Sequence, residues 1–189
     1  ARGRKGQELP TLASRPGHGE SLAAWMDYRK GSDYQIYARR VTTAGTLSSA
    51  EIPLGNEATT ILYGSPDVAY NSKADEYLVV WHEIPDQSTG YDIYARRVGW
   101  GGDLRGIPFL VSRDSHAGNE GSARVVDNAA TDNYFVVWQA YTSGLWRVWG
   151  QRVSAVGGLL GSGFTVSAST GWAGLPKLAG SQTVDGNGG

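Results

Sequence analysis

Tyr77-Leu-Val-Val-Trp81, then Tyr91-Asp-Ile-Tyr-Ala-Arg-Arg-Val98, a Gly101-Gly102 turn and Ile107-Pro-Phe-Leu-Val-Ser112 form a passage that the chain writes three times. The upstream copy reads Ser21-Leu-Ala-Ala-Trp25, Tyr34-Gln-Ile-Tyr-Ala-Arg-Arg-Val41, Gly45 and Glu51-Ile-Pro-Leu-Gly55. The downstream copy reads Tyr134-Phe-Val-Val-Trp138, Trp146-Arg-Val-Trp-Gly-Gln-Arg-Val153, Gly157-Gly158 and Gly163-Phe-Thr-Val-Ser-Ala168. Each run is of strand length and rich in β-branched and aromatic residues, with Gly or Asx turns between. Leu78, Val79 and Val80 stand in a row, as expected of a strand covered on both faces. A further run, Pro66-Asp-Val-Ala-Tyr70, precedes them, so each copy predicts four antiparallel strands. Pro10, Pro66, Ala123 and Pro176 mark the first strand of successive copies, at spacings of 56, 57 and 53 residues. Four short strands per unit at such a period predict an all-β protein built of β-propeller blades.

This spacing divides the 189 residues into blade 1 (1–64), blade 2 (65–121), blade 3 (122–174) and the first strand of an incomplete fourth blade (175–189). Three blades and one extra strand do not close a ring, since closed propellers carry about four to eight. The expectation is part of a larger propeller, or a ring closed by several copies. The chain begins at Ala1, which suggests a removed leader or a portion of something longer.

Composition narrows the function classes. There are 27 Gly, 7 Trp and 10 Tyr, the mixture of a turn-rich β protein. With no Cys, disulfides, Cys-ligated zinc and thiol catalysis are excluded. Seventeen basic residues against 18 acidic leave no field for nucleic acid or an anionic membrane. No apolar run approaches the roughly 18 residues of a membrane helix, so membrane insertion is not expected. His18, His82 and His116 fall at unrelated places in the repeat, and Asp127 to Asn133 lacks a full calcium-loop pattern. No metal and no cofactor are therefore expected.

Residues repeated at one place in every copy are expected to serve the scaffold. Trp25, Trp81 and Trp138 end the second strand and are expected to be packing residues, with carbohydrate stacking as the alternative. Arg40, Arg97 and Arg152 recur on the third strand, with Arg39 and Arg96 beside two of them. Strand alternation puts one Arg of each pair between blades, where it can stack on an aromatic ring or hold a carbonyl of the adjacent blade. An arginine ring lining an anion channel is the sharper alternative. Residues outside the repeat are the better ligand candidates: Trp146 and Trp149, which replace Tyr91 and Tyr94, and Trp100 and Trp172, read as loop residues. Tyr28 in the loop from Asp27 to Asp33 and His82 in the loop from His82 to Gly90 join them.

The strings Tyr77-Leu-Val-Val-Trp81, Asp92-Ile-Tyr-Ala-Arg-Arg-Val98 and Gly150-Gln-Arg-Val153 resemble the tandem repeats of secreted bacterial proteins similar to β-propellers. The resemblance covers essentially the whole chain, is weakest at Ala23-Ala24, and carries over no catalytic residue. It implies an exported protein, extracellular, at the cell surface or periplasmic, whose blades form a platform. The leading expectation is thus a non-catalytic structural or protein-recognition module. Its partner would be another protein or further blades of the same or another chain. The alternatives are a carbohydrate-binding propeller using its loop tryptophans, or a glycan hydrolase or lyase with convergent carboxylates.

Overall fold

A computed structural model describes residues 6–29, 34–55, 63–84, 90–113 and 119–167. They form twelve strands and three four-stranded antiparallel sheets, each with its strands in sequence order. The first sheet holds β1 (Gln7–Arg15), β2 (Glu20–Asp27), β3 (Gln35–Thr42) and the short β4 (Ile52–Pro53). The second holds β5 (Tyr63–Asn71), β6 (Glu76–Glu83), β7 (Asp92–Gly99) and β8 (Leu104–Leu110). The third holds β9 (Glu120–Asn128), β10 (Asn133–Thr142), β11 (Leu145–Ser154) and β12 (Leu159–Thr165). The first strands of neighbouring sheets, β1, β5 and β9, lie against one another, so the sheets fan out from them as β-propeller blades. The stretch expected to begin a fourth blade, and Trp172, lie outside the described residues.

Two cores separate the blades. Leu22, Ala24, Met26, Ile36 and Ala38 of blade 1 pack on Tyr77, Val79, Trp81 and Val98 of blade 2. Leu78, Val80, Ile93 and Ala95, on the other side of blade 2, pack on Tyr134, Val136, Trp138 and Val153 of blade 3. The middle sheet is therefore apolar on both sides, which explains its uninterrupted Leu-Val-Val run.

The inner strands begin three residues earlier than their sequence markers. Leu9, Ser65 and Ser122 have φ near +50°, and the strand register shifts beside each of them. Pro10 and Pro66 sit at these bulges, where the ladder lacks a partner for their missing N–H.

Polar ties repeat from junction to junction. Arg40 and Arg97 each grip both oxygens of a carboxylate of their own blade: Arg40 through Nη2 alone, to Glu20 at 2.7 and 2.8 Å, and Arg97 through Nε and Nη2, to Glu76 at 2.8 and 2.9 Å. Each also donates to a carbonyl of the following blade, Gly101 at 3.3 Å and Val156 at 3.0 Å. Arg96 points the opposite way and donates to Leu54 of the preceding blade at 2.9 Å. Nearer the centre, the Asp67 carboxylate accepts the Thr11 hydroxyl and the Val125 N–H, both at 3.0 Å, and so links all three blades.

Candidate functional site

Inner strands start, second strands end and third strands start at one end of the arc, here called the entry face. Its polar side chains begin with a pairing that strand geometry makes natural. Residues i and i+2 share a side of a strand, so a carboxylate two places after the tryptophan meets the indole N–H. The Trp25 indole donates to Asp27 at 3.2 Å, and that of Trp81 donates to Glu83 at 2.6 Å. Blade 3 has Ala140 at this place, but Glu120 lies directly opposite Ala140 in the ladder and brings a carboxyl from β9 instead. The Trp138 indole stands close enough to favour the ionised form of Glu120 without closing a full hydrogen bond.

These carboxyls differ sharply in proton affinity. Burial disfavours the charge on Asp27, yet donors from Arg29, Gln7 and Trp25 overcome it and hold the group well below the usual carboxylate range. Glu83 has no cation to offset its burial, which pushes it up to about 7, and the nearby Asp92 charge adds to the rise. Glu120 is pushed up to about 8 by burial, again with Asp92 adding, against a partial offset from Ser112 and the Ile93 N–H. Asp92, opposite Glu83 in the ladder, is itself raised by burial. Two carboxylic acids that keep their protons near neutral pH thus stand with a third carboxyl at this end, Glu83 and Asp92 on the side of blade 2 that faces blade 1 and Glu120 at the junction of blades 2 and 3. The Glu120 N–H donates to the Tyr91 carbonyl at 3.0 Å, which ties this junction together.

His82 and Glu83 belong to β6 rather than to the loop expected there. The His82 ring meets Tyr91 edge-on, with centroids 5.0 Å apart, and burial lowers its pKa to about 4. It lies so close to Gly64 that a Cβ there would meet Nε2 at 2.5 Å. The neutral ring fills the space between β5 and β9. An open cleft of about 750 Å³ at the same end is lined by Gly6, Gln7, Asp27 and Arg29. Among the described residues no three His, Asp or Glu side chains are grouped to hold a metal ion.

The five candidate ligand residues among those described do not form one site. Tyr28, His82 and Trp146 lie at the entry face. Trp149 stands opposite Trp138 and packs against the core between blades 2 and 3. Trp100 lies at the other end of the blade, in the turn after β7, with the Arg15 guanidinium 4.6 Å and that of Arg40 5.5 Å from its ring centroid. It joins blades 1 and 2 there. Trp81 and Trp138 are fully buried and Trp25 partly so, while Arg152 is exposed on the outer side of blade 3. Asp92 and Glu120 were not singled out from the sequence, and Glu83 was read there only as one residue of a variable loop. A Trp-x-acid pattern in two copies is a legible signal for Glu83; Glu120 emerges only from the register of β9 against β10.

With the blades and the entry face defined, comparison with solved structures places the chain among propellers. It is similar to an α-L-arabinofuranosidase of Fusarium graminearum, bound to an iminosugar inhibitor (17% identity, TM-score 0.57, 82% of this chain and 44% of that one). It is also similar to an α-L-arabinanase of Penicillium chrysogenum complexed with arabinobiose (12% identity, TM-score 0.54, 78% and 43%). A Hadza microbial sialidase is a third (11% identity, TM-score 0.61, 79% and 35%). At such identities the likeness establishes the propeller fold, and the chain spans less than half the length of each of the three. No family model and no curated protein matches the chain. The expectation of a non-catalytic structural or recognition module is corrected by this finding: these propellers are glycan-cleaving enzymes, which favours the glycan alternative.

Proposed function

We propose that the chain is an arc of a glycan-processing propeller, whose entry face receives a polysaccharide and supplies carboxyl groups for its cleavage. The observation that carries this reading is the convergence of Glu83, Asp92 and Glu120 at one end of two adjoining blades, with the two glutamic acids holding protons near neutral pH. Glycosidic bonds are cut by a pair of carboxyl groups in unlike protonation states, a protonated acid for the leaving oxygen and an ionised partner. Glu120 fits the acid, and its Oε2 has no hydrogen-bond partner among the described residues. Asp92 fits the partner. Cell-wall polysaccharides such as arabinan lie outside the cell membrane, so an exported or surface protein belongs to the same proposal.

The test is release of reducing ends from linear arabinan and of sialic acid from sialosides. Wild-type protein is expected to cleave one of these classes. Glu120→Gln is expected to reduce turnover by about a hundredfold or more, the scale of a lost general acid. Unchanged turnover in that variant would remove Glu120 from the chemistry, and no cleavage of either class would overturn the reading.

A further inference from the structure

Six residues before Arg40, Arg97 and Arg152 stand Tyr34, Tyr91 and Trp146, one aromatic ring per blade at the entry of the third strand. Two of these rings have an aromatic neighbour from the end of the second strand. Tyr28 lies 3.8 Å from Tyr34 between centroids, and Tyr141 lies 5.4 Å from Trp146. In blade 2 the neighbour of Tyr91 is His82. All three entry rings are half-buried, and Tyr141 is 44% exposed. Tyr28 and Tyr34 lean on the core between blades 1 and 2, which holds them in place. The hairpin of blade 3 pairs out to Thr142 and Leu145 and turns through Ser143 and Gly144, both at positive φ, so it holds Tyr141 and Trp146 on rigid backbone.

We infer that Tyr34, Tyr91 and Trp146, with Tyr28 and Tyr141 beside them, form a stacking track along which a linear neutral glycan runs from blade to blade. The inference takes the glycan ligand from the function proposed above and adds where the chain lies and of what kind it is. An aromatic ring offers an apolar face to the C–H side of a sugar, and its fixed position keeps the ordering cost of binding low. A track through Tyr34, Tyr91 and Trp146 crosses both blade junctions. It passes Glu83 and Asp92 at the first and Glu120 at the second, with Asp92 next to Tyr91 in sequence. The charges argue for a neutral sugar. Among the described residues, the carboxyl groups Asp27, Glu83, Asp92 and Glu120 stand at this end, with Glu8 at the start of β1 and Glu51 against Arg29 beside them. Arg29 is engaged by Asp27 and Glu51, and Arg147 donates to the Thr142 carbonyl of its own hairpin at 2.8 Å. Arg113, exposed after β8, is the remaining cation among them.

The experiment is calorimetric binding of arabino-oligosaccharides of increasing length, with galacturonate oligosaccharides as the acidic arm. Affinity for the neutral series is expected to rise with length and then level off. Trp146→Ala and Tyr91→Ala should each weaken the longer oligosaccharides by about three- to tenfold, the scale of one aromatic contact. Trp146→Phe should recover most of that loss. Tyr141→Ala changes an exposed side chain and keeps the comparison valid if the other variants lose stability. Affinity independent of length, variants that bind like wild type, or tighter binding of the acidic series would each overturn the track. Binding with this profile but no cleavage would leave the track standing and refute the hydrolase reading. Cleavage that none of these variants alters would do the reverse.

Discussion

Raising the pH from about 5 to 8 should make this protein less stable, because folding buries two carboxyl groups in their protonated form. In the unfolded chain Glu83 and Glu120 release their protons near the ordinary value of 4.5, whereas in the folded chain they release them near about 7 and about 8. Between those values the folded state holds protons that the unfolded state has lost. Stability then falls as pH rises, and the fall ends above the folded value of Glu120. Both side chains are buried, at 6% and 3% exposure, so solvent screens little of the effect. At about 1.4 kcal/mol per pKa unit, Glu120 contributes on the order of 3–5 kcal/mol to the fall and Glu83 somewhat less. Asp27 and Asp75 act at the other end of the scale. Arg29 and Arg15 hold them below the ordinary 3.8, so they add stability above that value that is lost as pH falls. Buried His82, its pKa lowered from 6.5 to about 4, opposes the fall below pH 6.5, and Asp127, raised to about 6 by burial, adds to it; the two glutamic acids together outweigh the single histidine, so maximum stability is expected near pH 5. The assay is urea denaturation at intervals from pH 4 to 9, roughly one unit apart, for wild type and Glu120→Gln. The amide resembles the protonated acid in shape, so the variant should match wild type near pH 5 and exceed it near pH 8. A wild-type profile flat or rising across that interval, or the same slope in both proteins, would refute the assigned burial of these acids.

Trp81→Ala empties a fully buried site between blades 1 and 2 and should cost about 3–5 kcal/mol by denaturant titration; the same variant leaves Glu83 without its indole donor, so the Glu83 pKa measured by NMR should rise further. Arg97→Ala leaves Glu76, which has no solvent exposure, with Arg105 at 3.2 Å as its remaining cation and should cost about 1–3 kcal/mol, with part of the loss recovered in the double variant with Glu76→Gln. Gly150 stands where the other blades have Ala38 and Ala95, and a Cβ there would meet the Phe135 ring at 2.8 Å. Gly150→Ala should therefore destabilise by about 1–3 kcal/mol, and adding Phe135→Leu, which restores the Leu of the other two blades, should relieve the strain in a double-mutant cycle.

The repeat carried most of the architecture in plain view. Alternation and turn residues place strands locally, and a pattern written three times fixes their number per unit without any knowledge of distant contacts. The doubly apolar Leu78-Val79-Val80 run announced a sheet covered on both sides, and the Arg pairs announced contacts between blades. What the sequence by itself determined was therefore the all-β, blade-by-blade organisation. It did not determine the bulges at Leu9, Ser65 and Ser122, since nothing local requires a positive φ at a leucine or a serine; they show only in the register of each first strand against its second. Nor did it separate the tryptophans. Trp100 and Trp146 look alike as unmatched aromatic residues, but the first lies among the guanidiniums of Arg15 and Arg40 and the second on a hairpin at the opposite end. Glu120 is the sharpest case. It is 20 residues from Ala140 in the chain and directly beside it in the sheet, and its proton affinity is set by the burial that this register and the adjoining blade impose. Proximity across strands and removal from water are properties of the packed blades, so only the tertiary structure could bring Glu83, Asp92 and Glu120 together and decide which of them keeps a proton.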